Sequence, residues 1–316
     1  MAQRPIAAAT VVTILGIRTQ LVSFFEGCLP IMTEPLVTVA IPTRNRCELL
    51  RRAMRSALNQ TFQHFELIVI DNASTDQTRA VVDEFGDDRL RYYKNQSDLG
   101  IIGNWNRATE LSRATYLNIF HDDDVMHPEF LERSVQALES CPTVGFTFPL
   151  VRRVTVDGQL LSMWCERALY PNAGVISGIS YVLTTIERGR CMSIAPSMVF
   201  RKSVHATVGS YAQVYGFNTF DMNMWLQIAF AFDTYLIDDV LFDYTIHADQ
   251  MSERHWRTPQ SPSGPIGMAI EIYDAAARLM RHPAARDQAT RDAIAGAILA
   301  LNKRLARDLA TVIPDL

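Results

Sequence analysis

The chain is poor in the features that would take it outside ordinary folded proteins. Its 316 residues include five cysteines, Cys28, Cys47, Cys141, Cys165 and Cys191. The number is odd and no two form a CxxC pair, which speaks against structural zinc and a redox dithiol and fits a reducing compartment. There is little excess of charge: 30 Lys+Arg against 34 Asp+Glu leave a net charge of −4. General attraction to nucleic acid is therefore excluded, and an anionic ligand has to be held by local groups or a metal. Internal repeats and low-complexity tracts are also missing, which removes solenoids and fibres. Apolar runs of the roughly 20 residues needed to span a bilayer do not occur. The mostly small and apolar stretch 5–17 is interrupted by Arg18, Gln20 and Glu26.

What is present is core material. Hydrophobic residues make up 48% and charged residues 20%, enough for one large domain or two small ones. Residues 1–34 read as a poorly ordered extension, with Met32 as an alternative translation start. From residue 36 strands and helices alternate. The run 36–41 is short, apolar and β-branched, and 47–58 has helical apolar spacing. A second strand is expected over 65–70, a helix capped by Ser74 or Thr75 and running to about Phe85, a third strand over 90–93, a helix over 103–112 and a strand over 116–120. A helix from about 128 to 140, an extended stretch 144–154 and a turn at Val156-Asp157-Gly158 follow. Further on, helices are expected at 176–186 and 221–232, and strands at 197–200, 234–237 and 241–246. A breaker-rich linker at 257–265 leads to two helices at 266–281 and 285–312. This alternation predicts an α/β fold with a mostly parallel, Rossmann-like sheet flanked by helices, plus C-terminal helices. Ligands in such sheets bind beyond the carboxyl ends of the strands, which singles out the loops 42–46, 71–76 and 121–125.

The last of these loops carries Asp122-Asp123-Asp124. Adjacent carboxylates repel and cost stability unless a cation or donors compensate. Oxygen ligands with open positions suit Mg²⁺ or Mn²⁺ shared with substrate phosphates. The plainer reading is a solvated loop in which Asp124 caps a helix. Asp71-Asn72, at the end of the second strand, can accept a hydrogen bond from a base N–H or can serve only the turn.

Several pieces together resemble one family. They are Val37-Thr38-Val39-Ala40-Ile41-Pro42-Thr43-Arg44-Asn45, then Ala57-Leu58-Asn59-Gln60-Thr61-Phe62, then the stretch from Phe65 through Asp71-Asn72-Ala73-Ser74-Thr75-Asp76. Asn104-Trp105-Asn106-Arg107-Ala108 and His121-Asp122-Asp123-Asp124 followed by Pro128 complete the set. In this order and spacing they resemble the nucleotide-sugar domain of inverting family 2 glycosyltransferases, which have the glycosyltransferase A-type fold. Downstream, the helix starting at Asp221 is similar to the family's acceptor-side helix, and Tyr244 to Ser252 to its closing segment. The resemblance covers about 36–252. It divides residues 35–256 into a nucleotide-sugar half (35–128) and an acceptor half (129–256), and leaves 257–316 as linker and C-terminal helices.

The resemblance implies roles. Pro42, Thr43, Arg44 and Asn45 would line the donor site, with Arg44 stacking on the base where the family often has an aromatic residue. Asp71 and Asn72 would hydrogen-bond the base, Asn72 standing where Asp is frequent. Asp122 would lie near the ribose or donor sugar, and Asp123, with His247, would bind the Mg²⁺ or Mn²⁺ that bridges the diphosphate. Asp221 would be the general base, the competing reading being a helix cap. The donor would be a nucleotide-diphosphate sugar and the acceptor a glycan or lipid-linked glycan in cell-surface polysaccharide synthesis. The implied location is cytoplasmic, with the Arg-rich C-terminal helices offering a peripheral contact at the inner face of the membrane, a homodimer contact, or simple packing on the domain. Competing functions are a sugar-phosphate nucleotidyltransferase, a glycoside hydrolase and a non-catalytic nucleotide-sugar or glycan binder. The first is disfavoured because residues 42–46 contain no glycine for a phosphate loop.

Overall fold

The VTVAIPT segment forms β1 (Val37–Thr43), buried except for a half-buried Pro42, and β2 (Phe65–Asp71) is buried throughout. Strands covered on both faces need such continuous apolar runs. Pro42 is tolerated because the β1–β4 ladder ends at the Ala40–Ile119 pair, so no ladder bond is lost on the side its nitrogen faces. The computed structural model describes residues 34–164, 173–214, 219–250 and 265–312. The expected extension up to residue 33 and the linker up to residue 264 lie outside the described residues.

Helix α1 (Cys47–Leu58) turns Leu50, Ala53, Met54 and Ala57 inwards at helical spacing. α2 (Thr78–Asp83), β3 (Leu90–Lys94), α3 (Gly100–Leu111) and β4 (Tyr116–Ile119) follow, and the four strands pair in parallel in the order β3-β2-β1-β4. The helix cap expected at Ser74 or Thr75 is corrected. α2 starts at Thr78, whose N–H donates to Asp76, while the Ser74 hydroxyl accepts the N–H of Asn45.

The remaining elements are β5 (Val125–Met126), α4 (Phe130–Ser140), β6 (Val144–Thr155), β7 (Leu160–Met163), β8 (Gly174–Ile176), α5 (Gly178–Arg188), β9 (Val199–Arg201), α6 (Phe220–Ala231), β10 (Asp233–Ile246), α7 (Pro265–Arg281) and α8 (Gln288–Val312). Ten strands make one sheet in the order β3-β2-β1-β4-β9-β6-β10-β5, with β7 on β6 and β8 on β10. It is the expected α/β architecture. The short β9 runs antiparallel between β4 and β6, and β6 and β10 are parallel. The two strands expected at 234–237 and 241–246 are one strand, whose register against β6 shifts between Ile237 and Val240 and again before Phe242.

Alternating residues of the central strands feed two cores. Val39, Ile41, Leu67 and Val69 pack with Leu50, Phe120 and Phe130. Ala40, Ile68 and Ile70 pack on the other side with Trp105, Trp225 and the C-terminal helices. Ile272 and Leu279 of α7 and Ile294 and Leu301 of α8 are buried there. These apolar faces are thus spent on the chain's own core. Among the described residues no helix is long and apolar enough to cross a membrane.

One close approach fixes how α6 sits. A Cβ on Gly178, the first residue of α5, would lie 1.9 Å from the Ala229 carbonyl oxygen and 2.3 Å from that of Phe232. Both are backbone atoms at the carboxyl end of α6, so neither can swing aside. Gly178→Ala is expected to destabilise the protein by about 3 kcal/mol, lowering Tm by roughly 5–10 °C, as a thermal melt would show.

Candidate active site

The carboxyl ends of β1, β2 and β4 open on the same edge of the sheet. Two of their loops are stitched together. The Asn45 side chain accepts the Thr75 N–H at 2.8 Å, Asn45 N–H donates to Ser74 Oγ at 2.9 Å, and Cys47 N–H, opening α1, donates to Asp76 at 3.1 Å. Asn45 and Ala73 adopt positive φ of 53° and 60° without being glycine, strain of the kind that gathers at functional loops.

A cleft of about 980 Å³ lies over these loops. Pro42, Thr43, Arg44 and Asn45 line it, as do Asn72, Asp122 and Asp123 from the donor side and Asp221 from the acceptor side. Asp71 does not. It is 1% exposed, and its carboxylate accepts the Ser74 N–H at 2.7 Å and the Tyr92 hydroxyl at 2.5 Å, behind the cleft wall. Asn72 faces the cleft with its oxygen fully used and one of its two Nδ2 hydrogens committed. Its oxygen accepts from Leu99 N–H and the Asn95 amide, and its Nδ2 donates to Asp98 at 2.5 Å.

The acidic loop is built from both halves of the chain. Asp122 accepts the Thr43 hydroxyl at 2.7 Å and Arg46 at 3.2 Å. Asp123 Oδ2 meets Arg46 and His247 Nε2, each at 3.0 Å. Asp124 Oδ1 accepts the Thr245 N–H of β10 at 2.8 Å. Arg52, from α1, donates to the Asp123 carbonyl, to Thr245 Oγ1 at 2.7 Å and to the Val156 carbonyl at 2.7 Å, clamping the loop against β10. One atom of each of three residues remains buried with no hydrogen-bond partner among the described residues: His121 Nε2, Asp123 Oδ1 and Asp124 Oδ2, the last 3.7 Å from His121 Nδ1. His121, Asp123 and Asp124 can each bring a ligand atom within 4.8 Å of the others'. Orphaned buried acceptors are costly, and this donor set fits a hard divalent cation. Asp124, for which the sequence allows a helix-cap role as the plainer alternative, and His121 thus join Asp123 as candidate ligands, with His247 in contact with Asp123.

The electrostatics agree. Burial beside Asp123 pushes the Asp122 carboxyl up to about 6, and burial with the same neighbour pushes Asp124 well above the usual carboxylate range. Burial also works against Asp123, but the His247 hydrogen bond and the charges of His121 and Arg46 outweigh it and hold it low. His121, with burial pressing it down to about 4, is neutral near pH 7 and has a lone pair to offer.

On the acceptor side, Asp221 sits in the first turn of α6, deep in the wall yet open to the cleft. The cap position is Thr219, so Asp221 is not the cap. Burial raises its carboxyl to about 6; the Met222 N–H pulls it down, and the Glu271 charge adds to the rise. Glu271, 1% exposed on α7, accepts from Asn223 Nδ2 at 2.8 Å, and Arg278 of the same helix donates to Gln227 at 3.1 Å. A helix outside the expected family segment thus grips the helix that carries Asp221. Phe220, Trp105 and the Ile194-Ala195-Pro196 stretch form the apolar side of this end.

A helix-flanked sheet with an acidic loop and a facing carboxylate in one cleft at the strand ends places the protein in the glycosyltransferase A-type class. A crystal structure of TarS from S. aureus superposes with a TM-score of 0.64 at 14% identity, over 89% of this chain and 75% of that one. Residues 38–189 match the model of the family described as Glycosyl transferase family 2, and over that stretch the chain is similar to this family. An uncharacterized glycosyltransferase of Rickettsia prowazekii is 25% identical over 219 residues, 69% of this chain and 66% of the relative. The putative colanic acid biosynthesis glycosyl transferase WcaA of Escherichia coli is 30% identical over 142 residues, 44% of this chain and 50% of the relative. The matches therefore span about two thirds and one half of those relatives' own lengths.

Proposed function

We propose that the protein transfers a sugar from a nucleotide-diphosphate donor to a glycan or lipid-linked acceptor, with inversion at the anomeric carbon, in cell-surface polysaccharide synthesis. The observation that carries this reading is the shared cleft: His121, Asp122 and Asp123 of the acidic loop and Asp221 all line one space. The family match and the relative named for colanic acid biosynthesis support the reaction class and its setting; TarS has also been crystallised in complex with UDP-GlcNAc.

In this reading Pro42 and the Arg44 guanidinium flank the base. Thr43 fixes Asp122 toward the ribose or sugar. His121, Asp123 and Asp124 would hold Mg²⁺ or Mn²⁺, which when bound supplies charge neutralisation for the leaving diphosphate. Arg46, already bridging Asp122 and Asp123, adds a fixed positive charge facing the same phosphates. Asp221 takes the proton from the acceptor hydroxyl. Attack from the face opposite the diphosphate then inverts the anomeric carbon. The domain division follows: residues 35–128 serve the donor, 129–256 the acceptor, and the C-terminal helices brace the acceptor helix.

A base must be unprotonated to act. With the Asp221 carboxyl raised to about 6, kcat should rise tenfold per pH unit below about 6 and level off above it. A sugar-release assay with Mn²⁺ or Mg²⁺ across pH 4.5–8, on a panel of nucleotide sugars, tests both the function and this limb. No transfer from any nucleotide sugar would refute the function, and a flat acid side would refute the base.

A further inference from the structure

At the base end of the cleft, the expected base-binding carboxylate is missing. Asp71 is turned into the wall, and position 72 holds an amide. The structure assigns the role to a residue the sequence did not single out: we propose that Asp98, presented by Asn72, reads the nucleotide base and selects bases that carry a hydrogen on the ring nitrogen of their pairing edge. This rests on the sugar-transfer reading and deepens it.

Asp98 lines the cleft in the loop that opens α3. Its two oxygens are used differently. Oδ1 is anchored by the Asn72 amide at 2.5 Å and the Gly100 N–H at 2.8 Å. Oδ2 meets, among the described residues, only the guanidinium of Arg44, and the two side chains are 51% and 38% exposed for Arg44 and Asp98. One oxygen thus fixes the carboxylate while the other is offered over the cleft mouth. Asn72 has no acceptor left for a base N–H, because its oxygen is taken by Leu99 and Asn95, and one of its two Nδ2 hydrogens is spent on Asp98. The amide at 72 hands the recognition to the next side chain out.

Arg44 completes the arrangement. Its plane can lie on a base face as an aromatic ring would, and its pairing with Asp98 ties loop 42–46 to the loop before α3 across the cleft mouth. A carboxylate facing a ring nitrogen gains a charge-assisted hydrogen bond when that nitrogen bears hydrogen, as in uracil, thymine and guanine. It meets a lone pair in cytosine and adenine. A lone pair facing the carboxylate once the base covers it is the stronger discriminator, since an unpaired polar group costs more than a made bond gains.

Calorimetric titration of UDP, GDP, CDP and ADP in Mg²⁺ tests this on the full chain. UDP or GDP should bind at least about tenfold tighter than CDP and ADP. Asp98→Asn keeps an oxygen for Asn72 and Gly100 but replaces Oδ2 by a donor, so the preference should collapse to near unity or invert. Asp98→Ala should flatten it as well, with an unchanged thermal melt excluding misfolding. Equal affinity of the wild type for all four nucleotides, or an unchanged ratio in both variants with every nucleotide weakened alike, would overturn the assignment and leave the sugar-transfer reading standing. Failure of the wild type to bind any of the four would overturn both.

Discussion

Asp221→Asn is expected to bind nucleotide as the wild type does and to turn over about 10²–10⁴ times more slowly. The amide is the same size and can still accept the Met222 N–H, which donates to Asp221 at 2.7 Å. What it loses is the ability to take a proton. The donor half of the cleft is built by β1, β2 and β4, and no bond to Asp221 supports it, so calorimetry should give an unchanged nucleotide Kd. Single-turnover sugar release measures the other arm. Burial and the neighbouring Glu271 raise the Asp221 carboxyl to about 6, the strength that the proposed base needs near neutral pH. Wild-type turnover in this variant would move the proton-accepting role elsewhere.

Asp123→Asn strikes the opposite end. Its carboxylate is the member of the acidic loop held in the charged form, by His247 and Arg46 among others. Its loss should cut metal-dependent nucleotide binding and transfer by about 10²–10³-fold or more. Folding should survive, because the loop crowds three buried carboxylates, Asp122, Asp123 and Asp124, and removing one relieves repulsion. A melt within a few degrees of the wild type, beside Mn²⁺ titrations that no longer strengthen nucleotide binding, is the expected pair of results. Metal-stimulated binding at wild-type strength would remove Asp123 from the ligand set.

The order of strands and helices up to β4 could be read from sequence because each strand there is a short apolar run and each helix shows its spacing. The acidic loop could be singled out because three adjacent carboxylates after a buried strand repel unless a cation or donors compensate, and the structure shows the donors Thr43, Arg46, His247 and the Thr245 N–H. Other features depend on who sits opposite. Asp71 looked like a ligand because only the pairing of Ile70 with Tyr93 and of Val69 with Tyr92 reveals that Tyr92 caps its carboxylate from the next strand. Nothing in the local sequence marks Arg46 and Arg52; their partners Asp123, Thr245 and Asp249 are 71 to 203 positions away in sequence. A strand is expected over 197–200, but β9, at three residues long, gives no sign of its antiparallel place between β4 and β6. β10 was split because Asp238-Asp239 interrupts its apolar pattern, and the strand absorbs them in a register shift. Glu271 falls in a helix that the sequence predicts but outside the stretch that resembles the family, and only the packing of α7 on α6 brings it near Asp221.

The pinning of the acidic loop by Thr245 and His247 has a practical corollary for chimaeras. The family match ends at residue 189, and a graft of that segment alone would carry Asp123, Asp124 and Arg52 into a host whose β10 tip was shaped for a different loop. The Thr245 N–H would be supplied by any backbone, but His247 and the threonine hydroxyl would not. Exchange boundaries that respect this chain run past Ile246, and a swap that stops earlier should yield a folded hybrid with a misaligned cation cradle.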